Sequence, residues 1–252
     1  MKIMAIVIAV VALVSGALAL DNSSAVTMAV ADASRPATDT ARDADRKPAQ
    51  TLVFIGIKPG DKVADYVAEM GYFTRLFSSV VGSKGHVYAV EPTEAVRYDP
   101  KDAATVVAEL QGYAVAHPNV TITTAAALEA IKFPEKLDVF WISQIYHDLH
   151  DKWMGPADTA AFNKAVYASL KPGGVYVILD HSAAPGAAAE VTETLHRIES
   201  STVRREVEAA GFKFDSESSI LANPADPRTA KVFDKTIRGH TDQFILKFRK
   251  PK

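Results

Sequence analysis

No cysteine occurs among the 252 residues of this chain. That absence excludes disulfides, thiolate catalysis and cysteine-bound metal together, and it is compatible with either redox compartment. Charge of one sign is lacking too: a formal net charge of −2 predicts no general attraction to polyanions. No interleaving of aromatic and basic residues marks a nucleic-acid groove, no internal repeat marks a solenoid, and no amphipathic membrane helix follows the N-terminal stretch. The histidines show no recognisable metal-ligand spacing, so no metal site is expected. What is present is a chain with 48% hydrophobic residues, enough for one full α/β core.

The N-terminus carries its own message. Lys2 precedes an apolar run from Ile3 to Val14, and Ser15-Gly16 and Ala17-Leu18-Ala19 follow. This is the pattern of a secretory signal cleaved after Ala19, which predicts a periplasmic or secreted protein that does not stay in the membrane. The bland alternative is an uncleaved anchor, because the run to Leu20 is barely long enough to span a bilayer. Residues 20–40, rich in Ala, Ser, Asp and Thr without apolar periodicity, read as a disordered spacer. A single domain is expected over 41–252.

The most informative stretch is Lys62 to Pro92. Val63 and Ala64 lead to Asp65 as a short strand would, and Phe73, Leu76, Phe77 and Val80 then recur at helical spacing. The apolar period therefore switches from 2 to 3.6 across a short turn, which implies a βαβ unit. Gly71 stands where the helix must begin close to a ligand. Glu91 closes the second strand twenty positions later, where a carboxylate can accept from both hydroxyls of a ribose. Further along, helices are predicted over 103–113, 157–170 and 202–210, with strands at 120–123, 137–143, 175–180, 212–214 and 243–248. Lys171-Pro172-Gly173-Gly174 is read as a helix stop. Such alternation predicts a mostly parallel, helix-covered sheet.

Seven segments in order carry a resemblance that covers residues 35 to 252. They are ARDADRKPAQTL (41–52), GIKPGDKVAD (56–65), GYFTRLFSSVVGSKGHVYAVEP (71–92), WISQIYHDLHD (141–151), FNKAVYASLKPGGVYVILDHSA (162–183), LHRIES (195–200) and NPADPRTAKVFDKTIRGHTDQFILKFRKP (223–251). On these the chain resembles the class I S-adenosylmethionine (SAM) dependent methyltransferases, and among them a family of exported bacterial methyltransferases. The resemblance implies a Rossmann-like, seven-stranded sheet whose last strand is antiparallel. It implies SAM as cofactor and a small-molecule or envelope acceptor, with Asp65, Glu69, Gly71, Tyr72, Thr74, Glu91 and Ser143 around the cofactor. It also brings the run after the fourth strand toward the acceptor, with His147 as candidate base and Tyr146, Asp148 and His150 orienting it or shaping the pocket. Taken singly, Asp65 can be a strand-end cap, Glu91 a solvated loop acid and YHDLHD an N-cap. His181, His196 and His240 read as hydrogen-bonded structural histidines.

The departure from the family pattern matters more than the matches. Val67 and Glu69 stand where the usual turn has glycines, and only Gly71 is kept. A β-branched valine resists a positive φ, so the turn is expected to follow a different backbone path. Glu69 would face a dinucleotide's pyrophosphate, and like charges about 4 Å apart cost on the order of 4 kcal/mol at an effective dielectric near 20. That disfavours a nicotinamide dinucleotide. The same carboxylate attracts a sulfonium or an α-ammonium. Two readings follow: a SAM-dependent methyltransferase, or an exported, non-catalytic ligand-binding protein in which Glu69 closes the site. The segment 223–242 is too long for an ordinary hairpin loop and reads either as a cover over the crevice or as a packed structural excursion.

Overall fold

The computed structural model describes residues 22–125, 131–155 and 157–252. The signal segment 1–19 lies outside the described residues. In chain order the elements are α1 (Asn22–Ala31), α2 (Ala37–Thr40), α3 (Asp43–Arg46), α4 (Pro48–Ile55), β1 (Lys62–Tyr66), α5 (Tyr72–Val81), β2 (His86–Pro92), α6 (Thr93–Tyr98), α7 (Pro100–Ala116), β3 (Val120–Ala125) and β4 (Leu137–Ser143). They continue with two short 3₁₀ turns (His147–His150 and Lys152–Met154), α8 (Thr159–Ser169), β5 (Leu170–His181), α9 (Val191–Leu195), α10 (Ser200–Ala209), β6 (Lys213–Ser218) and β7 (Gln243–Arg249). No helix among the described residues is long and apolar enough to cross a membrane.

One sheet of seven strands organises the molecule, in the order β3-β2-β1-β4-β5-β7-β6. Strands β1 to β5 pair in parallel, while β7 runs antiparallel to both β5 and β6. This is the Rossmann-like order the resemblance implies. Strand order reverses between β1 and β4, so the crevice outside their carboxyl ends is where such a sheet binds ligands.

Period-two alternation sends neighbouring side chains to opposite faces, and each face has its own core. Ala64, Tyr66, Phe140, Ile142, Tyr176 and Ile178 pack against Phe162 and Val166 of α8 and Val203 and Val207 of α10. Val63, Val87, Val139, Trp141 and Val177 face Leu52 and Ile55 of α4 and most of α5 on the other side. Helix α5 is buried almost all round because a further helix, α1, covers it with Ala25, Val26 and Ala29.

That covering helix corrects the reading of 20–40 as disordered: within it, residues 22–31 form α1 and 37–40 form α2. Small side chains carry no amphipathic pattern, but they let a helix lie close against Phe73 and Phe77. Polar contacts then hold the segment down. Arg75 makes two hydrogen bonds to Asp39 at 2.7 and 2.9 Å, and Arg35 makes two to Asp43 at 2.8 and 2.7 Å. Lys171-Pro172-Gly173-Gly174 is likewise not a simple stop. It lies inside the start of β5, where the register against β4 shifts and Gly173 takes φ 82°.

Candidate functional site

The crevice is built from the carboxyl ends of the central strands. Asp65 sits in β1 with only 3% of its surface exposed, and Thr74 Oγ1 in the first turns of α5 donates to its Oδ2 at 2.6 Å. Burial raises the Asp65 carboxyl to about 7 even though the Thr74 bond opposes it, and the nearby Glu69 charge adds to the rise. Glu91 in β2 is 4% exposed, and its Oε2 has no hydrogen-bond partner. It too is raised to about 7, by burial first and then by the charges of Glu69, Asp102 and Asp65. A buried carboxylate oxygen without a donor is costly, and a ligand hydroxyl would relieve it.

Between β1 and α5 the chain turns with Val67 at φ 54°, Glu69 at φ 47° and Gly71 at φ 79°. The expected change of backbone path is therefore not found. Three alternating left-handed positions remain, two of them occupied by residues for which that conformation costs roughly 1–2 kcal/mol each. The amides of Val67 and Ala68 both donate to Val90 O, at 2.9 and 3.3 Å, which ties the turn to the end of β2. Gln144 (φ 60°) and His196 (φ 53°) are also left-handed. Three of these residues, Val67, Glu69 and Gln144, line the pocket over the turn, while Lys47 and Arg228, also left-handed, do not.

Opposite the acids stand two arginines. The pocket over the turn is lined by Arg42, Arg46, Asp65, Val67, Glu69, Tyr72, Ser143 and Gln144. Arg46 lies 4.6 Å from the Tyr72 ring centroid, and burial together with the Arg42 charge lowers its guanidinium to about 10. The enclosed space directly over the turn is only about 20 Å³. It continues past Arg42, Arg46, Glu69 and Gln144 into a cavity of about 530 Å³ bounded by His181, Phe233, Thr241 and Gln243. The segment 223–242 does border the crevice, and it is anchored by a fully buried Arg197–Asp226 ion pair at 2.9 Å. A cavity of about 600 Å³ lies near Lys62 and His86, at the amino ends of β1 and β2, away from these groups.

Of the cofactor-side residues, Asp65, Glu69, Tyr72 and Ser143 line the pocket. Glu91 does not line the pocket; it follows Val90, to which the turn is bonded, at the end of β2. Thr74 is fully buried and acts through Asp65. Gly71 starts α5, and a Cβ there would come within 2.9 Å of Leu110 Cδ2. Tyr72 is turned so that its hydroxyl donates to Asp43 at 2.7 Å, leaving the ring to meet Arg46. Arg42, Arg46 and Gln144 were not anticipated, because nothing in their local sequence links them to the turn.

The acceptor-side run divides. Tyr146 does not orient His147: it is fully buried in the sheet core, bonded to Asn163 (2.8 Å) and Glu206 (3.0 Å). His150 turns the same way, to Glu206 at 3.3 Å. His147 and Asp148 remain. Asp180 at the end of β5 accepts from the His147 amide and from its Nδ1, both at 2.8 Å, and from the His181 amide at 2.7 Å. Burial pushes the His147 imidazole down, but the Asp180 charge and hydrogen bond outweigh it and raise it to about 9. That direction favours the protonated imidazole, whereas a general base needs the neutral form. His181, bonded to Thr241 at 2.7 Å, is lowered to about 4 by burial. His196, read as structural, stands beside His147 with its ring 5.4 Å away.

No protein-family model matches the chain. Among characterised proteins it is 27% identical over 199 residues to the ubiquinone/menaquinone biosynthesis C-methyltransferase UbiE of Vibrio vulnificus. The match covers 78% of this chain, and the chain spans 65% of that relative's length. A SAM-dependent methyltransferase from Aquifex aeolicus superposes with a TM-score of 0.53 at 17% identity, over 79% of this chain and 87% of its own. An arsenic(III) S-adenosylmethionine methyltransferase from Chlamydomonas reinhardtii gives 0.54 at 17%, over 90% and 73%. The [4+2]-cyclase SpnF gives 0.59 at 14%, over 82% and 81%. These likenesses establish the class I methyltransferase fold, and the cyclase among them is a reminder that the fold alone does not choose the chemistry.

Proposed function

We propose that this chain, a member of the class I SAM-dependent methyltransferase superfamily, binds SAM in the crevice over the β1–α5 turn and transfers a methyl group to a small-molecule or envelope acceptor. The observation that carries the proposal is the buried, unpartnered Oε2 of Glu91 at the end of β2, close enough to feel the charges of Asp65 and Glu69, which line a pocket together with Arg42 and Arg46. Glu91 suits a ribose diol. Asp65 and Glu69 suit the cationic amino and sulfonium groups, and Arg46 with Arg42 suits the carboxylate of an amino acid. A pyrophosphate would have to lie against Asp65 and Glu69 as well as the two arginines, which makes the pocket less suited to a dinucleotide than to SAM.

When bound, SAM supplies an electrophilic methyl group. The protein's own task is then to hold the acceptor in line and exclude water, since little other covalent chemistry is needed. Segment 223–242 supplies Val232, Phe233, Arg238 and Thr241 to the cavity wall. Export through the N-terminal segment is part of the same proposal, and sequencing of the mature N-terminus tests it.

Calorimetric titration of the purified protein with SAM, S-adenosylhomocysteine and NAD tests the cofactor assignment. Binding of the first two and not the third supports it. A folded protein that binds none of the three overturns it in favour of a degenerate, non-catalytic binding fold.

A further inference from the structure

Three side chains at the foot of the crevice converge on one point. His147 Nε2 lies 3.4 Å from His196 Nδ1 and 3.4 Å from Asp148 Oδ1, and His196 Nδ1 lies 3.6 Å from Asp148 Oδ1. They come from two separate stretches of chain, 147–148 and 196, brought together by the 3₁₀ turn after β4 and the residue that ends α9. His196 takes a left-handed φ of 53° at that position. We propose that His147, Asp148 and His196 form a binding site for one divalent transition-metal ion of the zinc class.

The distances argue for it first. A triangle with these sides has its centre about 2.0 Å from every corner, the length of a zinc bond to imidazole nitrogen or carboxylate oxygen. An ion in or just above that plane reaches all three atoms. Ligands around a magnesium ion at right angles would stand only about 2.8–3.0 Å apart, and two imidazoles are poor ligands for magnesium or calcium.

The surroundings argue for it independently. Asp180 Oδ1 accepts a hydrogen bond from His147 Nδ1–H, which leaves Nε2 as the ligating atom, the carboxylate–histidine arrangement that orients metal-bound imidazoles. Trp153 Nε1 donates to Asp148 Oδ1 at 3.0 Å and holds that carboxylate in place. Asp151, 1% exposed, leaves its Oδ1 without a hydrogen bond close by. Asp148, Asp151 and Asp180 are all buried, and among the described residues no lysine or arginine forms a salt bridge with any of them. A divalent cation would compensate that concentration of negative charge.

Three protein ligands leave a coordination position open. The cluster opens on the His196 side, where the side chain is 20% exposed against 3% and 8% for His147 and Asp148. The His196 ring lies 5.0 Å from Phe233, which lines the crevice cavity. If the methyl-transfer reading holds, the open position faces the acceptor and suits one that presents an anionic oxygen. Metal binding itself does not depend on that reading.

The test uses the purified, tag-free protein after treatment with a chelator, titrated calorimetrically with Zn²⁺ and followed by visible absorption with Co²⁺, both without SAM. One ion per chain, an intense tetrahedral-type Co²⁺ spectrum, and loss of affinity by on the order of 100-fold in His196→Ala and Asp148→Asn are expected; removal of an outer partner alone costs about 10–100-fold. The exposed-site control His240→Ala should bind as the parent does. His196 is partly exposed, so its variant should fold, and circular dichroism checks this. The proposal is overturned if the folded parent takes up neither ion, or if both ligand variants keep the parent's stoichiometry and affinity.

Discussion

Thr74 Oγ1 donates a 2.6 Å hydrogen bond to Asp65 Oδ2, so the helix that follows the turn fixes the acid that precedes it. Thr74→Val replaces that donor with a methyl group of similar shape and strands a buried carboxyl. Folding stability should fall by about 1–3 kcal/mol, measured by urea denaturation. SAM affinity should fall with it, because the carboxyl then holds its proton more firmly. Unchanged affinity would mean that Asp65 does not face the cofactor.

The pH dependence follows from the raised carboxyls. Asp65 ionises near 3.8 when unfolded and near 7 when folded. Between those values the folded chain holds a proton that the unfolded chain has lost, so this contribution to stability declines as the pH rises from about 4 to about 7 and is level above. Asp61, raised to about 6, acts in the same direction, while His181, lowered to about 4, acts oppositely below about 6.5. Comparison with Asp65→Asn isolates the effect: the parent should lose stability relative to the variant across that window. SAM affinity should climb with pH through about 7 as Asp65 and Glu91 become charged.

Glu69 separates strain from binding. It is exposed at φ 47°, so Glu69→Gly should raise stability by roughly 1 kcal/mol through relief of the left-handed conformation. The same change should weaken SAM binding if the carboxylate meets the cofactor's cationic groups. A variant that is more stable and binds SAM as well as the parent, or better, would refute that contact.

Gly71 is required by space as well as by torsion. At φ 79°, a Cβ would come within 2.9 Å of Leu110 Cδ2 and 3.1 Å of Arg75 Nη1. Gly71→Ala should cost about 1–3 kcal/mol and loosen the start of α5. Thermal unfolding would detect this; an unshifted midpoint would show that α7 can move away freely.

Asp226 anchors the outer wall of the crevice. Removing its side chain in Asp226→Ala leaves Arg197 charged and fully buried, and frees the Asp242 amide that donates to it at 2.7 Å. A loss of about 3–5 kcal/mol is expected by denaturant titration. Excision of the whole segment would therefore damage the fold as well as the pocket.

Much of this architecture was legible because it depends on local order. The switch of apolar period between Val63 and Phe73 marked β1 and α5, and Asp65, Gly71 and Glu91 stood at the spacing of a nucleotide-binding unit. Helix α1 was not legible, since Ala25, Val26 and Ala29 make a helix face only against the aromatic surface of α5. Val67 misled for a related reason. Its intrinsic preference opposes φ 54°, but two hydrogen bonds to Val90 O and its packing against the core impose that angle.

By itself, the sequence determined the alternation of strands and helices, the acids at the ends of β1 and β2, and the exclusion of thiol chemistry, because each follows from residue type and spacing along the chain. The tertiary structure alone decided that Tyr146 turns into the sheet core while His147 bonds Asp180 at the end of β5, that Arg42 and Arg46 stand over the turn, and that His196 joins His147 and Asp148. Those relationships join residues up to 60 positions apart, and at such separations only the packing of the strands and helices determines which side chains meet.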